Sequence, residues 1–137
     1  MAPDTAELWK FLPLGYAITI VLEMPVLILG LSPRHGFLRR VFAGYWLTAC
    51  TYPIVILVLP EIIWRPLGEA GYWPYVAVAE VFAPAAECAL FWLAYWRQAS
   101  ATAGRADFIR DMLVIVAANL TSFRVGGWFA QWLGLLA

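Results

Sequence analysis

Residues 12–31 read LPLGYAITIVLEMPVLILGL, an apolar run with a single charge, Glu23. An α-helix needs about 20 mainly apolar residues to cross a hydrocarbon core about 30 Å thick. Three further stretches of that kind follow, at 41–60, 74–96 and 112–135. Membrane strands would be about half as long and would alternate apolar with polar. None of the four does so. Only helices satisfy every backbone group in lipid without closing a barrel. The expected fold is an all-α integral membrane protein, one domain over 1–137. It is a four-transmembrane-helix bundle with proline-kinked helices and both termini on the outer side.

Composition agrees. Of 137 residues, 64% are hydrophobic and 13% charged, whereas soluble domains hold about half apolar and a quarter charged residues. A disordered chain would be poor in apolar residues and rich in charge. Nine basic residues balance nine acidic ones, so no basic field is available for nucleic acid.

Orientation follows from the arginines. Arg34, Arg39 and Arg40, with His35 beside them, follow the first span, and Arg97, Arg105 and Arg110 follow the third. The opposite side carries only Lys10 and Arg65. Positive-inside bias places loops 32–40 and 97–111 in the cytoplasm, in a membrane of the bacterial inner (plasma) type. Trp9, Trp64, Trp73 and Trp132 then anchor the outer boundary, and Trp46, Trp92 and Trp96 the inner one. The start, Met1-Ala2-Pro3-Asp4 with Glu7 before the apolar run, lacks the basic n-region of a cleaved signal peptide.

The informative residues are those that are costly to bury. Glu23 lies near the centre of the first span, Glu80 in the outer third of the third, Glu87 near its centre, and Arg124 near the centre of the fourth. Each charge there costs at least about 2.5–3.5 kcal/mol. Arg124 shares a depth with Glu23 and Glu87, so it can pair with either of them. At about 100° per residue, however, it points about 140° away from Asn119, toward a different helix or a partner protein. Glu80 has no second base in the membrane and is expected to be protonated, wet or bound to a cation.

Pro25, Pro53 and Pro84 fall mid-span and each frees a carbonyl four residues earlier, at Val21, Ala49 and Glu80. Kinked helices, freed carbonyls and carboxylates at one depth suit a proton or a hard cation. The candidate ion or ligand site is therefore Glu23, Glu80, Glu87, Thr51, Asn119, Ser122 and Arg124. The metal, if any, is open. The plainer alternative makes the Arg–Glu pair a structural clamp and Thr48, Thr51, Asn119 and Ser122 interhelical contacts of about 0.6 kcal/mol each. Ala118, Ser122 and Gly126 form a small-residue ladder that indicates close helix packing.

Other chemistries lack their residues. The lone histidine, His35, falls in a loop and reads as a solvated member of the basic cluster, so haem or a chlorophyll-type cofactor is disfavoured. Cys50 and Cys88 form no C-x-x-C pair, and with Glu87 they make a poor soft-metal set. No phosphate loop or nucleophile–base constellation appears, and Asp4, Asp107 and Asp111 lie outside the spans. Asp107 is expected to cap the helix leading into the fourth span. The reading is thus weighted against an enzyme, with a lipid- or isoprenoid-modifying one the weakest case.

In architecture the chain resembles the small multidrug-resistance transporters, which have four spans, little mass outside the membrane and a glutamate in the first span. Glu23 stands at the matching position. The proline-rich spans, Glu80, Glu87, Arg124 and the greater length depart from that pattern, and the resemblance carries no site residues across. Two functions are expected: a transporter-like or cation/proton-binding protein, as a homodimer, or a non-catalytic accessory subunit of a larger membrane complex.

Overall fold

The computed structural model describes residues 4–96 and 104–132. Arg97 and residues 133–135 of the fourth apolar stretch lie outside the described residues. Those described are helical almost throughout, with no strand among them. Helix α1 spans Thr5–Gly30, α2 Phe37–Pro53, α3 Arg65–Leu67, α4 Tyr72–Phe91 and α5 Arg105–Trp132. Among the described residues, two helical segments are long and apolar enough to cross a membrane, Thr5–Gly30 and Phe37–Trp96.

The second of these does not stay straight. Regular α-helix stops at Pro53, and π-type turns follow over Ile54–Val58 and Pro60–Trp64. Proline lacks the N–H of an α-helical bond and its ring crowds the carbonyl of the turn before, which favours such local widening. The chain reverses at Gly68, whose φ of 59° and ψ of −139° are accessible in practice to glycine alone. A 3₁₀ turn over Gly68–Gly71 then leads into α4. The connection expected at 61–73 is therefore mostly helical.

Gly71 is needed for a second reason. A Cβ there would lie 2.6 Å from Trp64 O and 2.7 Å from Trp64 Cα, backbone atoms that cannot swing aside. Gly71→Ala should destabilise the fold by about 1–3 kcal/mol, as overpacking does. Thermal or denaturant unfolding in detergent checks this. Gly36→Ala, where a Cβ would meet nothing within 4 Å, is the control without overpacking and should lose only the smaller N-cap preference of α2.

Helix α1 packs antiparallel to both α2 and α5, and α4 packs against the same two helices, closing a ring. Leu27, Leu31, Ala43, Leu47, Phe91, Trp96, Ile115 and Ala118 form the apolar core. Ala118 of the small-residue ladder is buried there, so that part of the ladder serves packing inside the chain. The outer surface is unusually apolar, with Leu38 80%, Leu29 78% and Val21 70% exposed.

Helix α1 ends before Pro33 with no basic residue in its last turn. Its final carbonyls would be unsatisfied, and arginines from other segments supply the donors. Arg40 donates to Ile28 O at 2.5 Å, Ser32 O at 3.1 Å and His35 O at 2.8 Å, while Arg110 Nε donates to Gly30 O at 2.7 Å. Two arginines counted above as loop charges are thus tied to a helix end. At the other end, Thr5 Oγ1 donates to Glu61 at 2.7 Å and Arg65 bonds both residues at 2.9 Å, pinning the start of α1 to the turns after α2.

Candidate functional site

Glu23 on α1 and Glu87 on α4 are both buried, each 2% exposed. Both carboxyl groups are held between α2 and α5. Thr48 Oγ1 donates to Glu23 Oε2 at 2.9 Å, and Ser122 Oγ donates to Glu23 Oε1 at 2.6 Å. Thr51 Oγ1 donates to Glu87 Oε1 at 2.7 Å, and Asn119 Nδ2 donates to Glu87 Oε2 at 2.7 Å. The local cause is helical spacing. Thr48 and Thr51 are three apart on α2, as are Asn119 and Ser122 on α5, so each pair shares a face.

The pairing is crossed. Helices α2 and α5 both run antiparallel to α1 and hence parallel to each other. Glu23 takes the earlier residue of α2 and the later one of α5, and Glu87 does the reverse. Both acids therefore sit at about one height.

Among the described residues, every donor touching the carboxylates is neutral. The hydroxyls also have a second acceptor each: Gly44 O lies 2.9 Å from Thr48 Oγ1, Leu47 O 3.1 Å from Thr51 Oγ1, and Asn119 O 2.9 Å from Ser122 Oγ. A hydroxyl has one proton but can also accept. Each can donate to a carboxylate, or donate to the backbone and accept from a carboxylic acid. The same arrangement thus accommodates both charge states.

Five of the seven expected residues meet here: Glu23, Glu87, Thr51, Asn119 and Ser122. Thr48 completes the set and was expected only as a packing contact. Its signal was its place one turn before Thr51. The other two stand apart. Arg124 is exposed and pairs with neither glutamate, so the possible ion pair does not form and the helical angle holds. It follows Ser122 by two positions, about 200° around the helix, so it faces away from the core. Glu80 is half-buried. Neither has a hydrogen bond or ion pair among the described residues.

A second buried cluster lies at the Arg-rich end. Asp111 accepts from Ser32 N at 2.6 Å, Ser32 Oγ at 3.1 Å and Trp96 Nε1 at 3.1 Å, and its Oδ2 lies 2.8 Å from His35 Nε2. Burial alone would push its carboxyl up, but the bonds from His35 and Ser32 outweigh it and hold it below the usual range. His35 is 1% exposed and packs edge-on to Phe91 and Trp96. The expected solvated histidine is in fact a core residue, because the 31–36 turn folds inward onto Asp111. Arg34 lies 3.9 Å above the Trp96 ring and covers the cluster. Asp107 sits inside the first turn of α5 and is not its cap: the Gly104 carbonyl, just before the helix, accepts from Asp107 N at 3.1 Å and Phe108 N at 3.2 Å.

Among the described residues no three His, Cys, Asp or Glu side chains come together as a metal centre. Comparison with protein-family models, curated proteins and solved structures finds no match.

Proposed function

We propose that this chain is a small polytopic membrane protein that crosses the bilayer four times, with its Arg-rich loops in the cytoplasm. In this reading it binds protons or a hard cation at the Glu23–Glu87 pair, as a transporter-like protein does. One observation supports it above all: two carboxyl groups are buried at about one height in the bundle, and among the described residues they are touched by four neutral donors and by no cation. Burying an ionised carboxylate without a counter-charge is prohibitive, so each group takes up a proton or shares a cation. Reversible hydroxyls let that occupancy change without rebuilding the site. Each acid bridges α2 and α5, so occupancy also bears on how those helices sit together.

Infrared difference spectroscopy on the protein in lipid tests the reading. A pH or sodium step should produce a carboxyl carbonyl band that shifts in D₂O and disappears in Glu87→Gln. No such band in the parent protein, or an unchanged band in both Glu23→Gln and Glu87→Gln, would overturn it.

The accessory-subunit reading draws on Arg124, an exposed cation on an apolar helix face. Purification in mild detergent separates the two: a stoichiometric larger partner favours the accessory role.

A further inference from the structure

The Glu23–Glu87 level is packed shut toward one end of the bundle and not toward the other. One turn from the pair toward the Arg-rich end, the four helices present Leu27, Leu47, Phe91 and Ile115. Each stands four residues from its own site residue, Glu23, Thr51, Glu87 and Asn119, so each lies on the site face. All four are at most 1% exposed. Gly44 and Ala118, four residues from Thr48 and Ser122, are buried at the same level. An apolar layer packed in this way has no place for water.

One turn toward the Gly68 end, the matching positions are Thr19, Tyr52, Ala83 and Gly126, and none of them is buried. Ile20, beside Thr19, is buried at 9% exposed. Thr19 and Tyr52 carry hydroxyls, and Ala83 and Gly126 have almost no side chain. Glu80 follows them on the same side. Seven residues before Glu87, it shares that residue's face of α4 to within about 20° and stands about 10 Å nearer the Gly68 end. It is half-buried and bonds nothing among the described residues. An acid so placed meets water and cations before the buried pair does. We infer that the Glu23–Glu87 pair exchanges with the outer side, by way of Glu80, while the Leu27, Leu47, Phe91 and Ile115 layer closes it to the cytoplasm. This rests on the membrane placement and on the proton or cation reading proposed above, and adds the direction of loading.

The test is thiol labelling of the full chain in sealed vesicles with a charged, impermeant methanethiosulfonate, after Cys50→Ser and Cys88→Ser. Leu67→Cys and Arg39→Cys, both at exposed positions, mark the outer and cytoplasmic sides. Ala83→Cys should label from the Leu67 side, at least about tenfold faster than Ala118→Cys, whose thiol reacts only when the packing opens. Circular dichroism reports whether each variant folds, and Glu80→Cys replaces Ala83→Cys if that one does not. Glu80→Gln should slow, severalfold, the rise of the Glu87 infrared band after a pH or sodium step on the outer side, with its final amplitude unchanged. A silent Ala83→Cys, an Ala118→Cys that labels as fast from the Arg39 side, or an unchanged rise in Glu80→Gln would each overturn the inference. A missing infrared band in a parent whose Ala83→Cys variant labels as expected would instead strike the chemistry of the pair, so the two readings fail separately.

Discussion

Asp111→Ala should be the most damaging single substitution in the chain, lowering stability by about 3–5 kcal/mol. The alanine would strand Ser32 N, Ser32 Oγ, His35 Nε2 and Trp96 Nε1 with no acceptor in a buried space. Each orphaned donor costs about 1–3 kcal/mol before relaxation, so the sum exceeds what local rearrangement recovers. Asp111→Asn keeps one acceptor oxygen but turns an N–H toward donors, and should lose an intermediate amount. Unfolding midpoints in one detergent rank the three proteins. The pH dependence has a definite sign. The folded carboxyl titrates below the unfolded one, so its stabilisation is present above the unfolded value. It is lost as pH falls through the folded value. The parent should therefore weaken in acid, and the acid-sensitive part of that slope should be missing in Asp111→Asn. Equal slopes would show that Asp111 is not responsible.

The second large effect comes from stripping the donors of Glu87 and keeping its charge. Thr51→Val with Asn119→Leu leaves the carboxyl group buried without a hydrogen bond from protein, and should cost about 2–6 kcal/mol. Glu87→Gln should behave oppositely, staying within about 1 kcal/mol of the parent. Its amide oxygen accepts from Asn119, and its N–H₂ donates to Thr51 while Thr51 turns to Leu47 O, 3.1 Å away. Glu87→Gln is thus stable but mute: it should abolish any proton- or cation-coupled flux in proteoliposomes. Unfolding curves for both variants, with flux for Glu87→Gln, make the comparison. A donor-stripped protein as stable as the parent would mean that water already satisfies the site.

Much of this was legible in the sequence, for reasons specific to helices. Apolar runs of the right length announced an all-helical chain. Isolated carboxylates in such runs marked Glu23 and Glu87, and polar side chains within the fourth run marked Asn119 and Ser122. Arg124 illustrates the limit. Shared depth suggested an ion pair, while the helical angle argued against it, and the angle decided. Depth is one coordinate, and contact needs the azimuth as well. The Asp111 cluster was not legible because its members come from three separated segments. Whether His35 meets bulk water or a carboxylate depends on how the 31–36 turn folds, which hydropathy does not encode. Arg40 and Arg110 counted as loop charge for the same reason: capping α1 is a tertiary event.

The crossed clasp of the two acids has a kinetic corollary. Sliding α2 past α5 by a single residue would pull one end of each clasp at once, so neither acid can be released while the other stays held. If the pair binds protons or a cation as proposed, loading and unloading should then be concerted, and a chemical probe of one carboxyl group would read out the state of its twin.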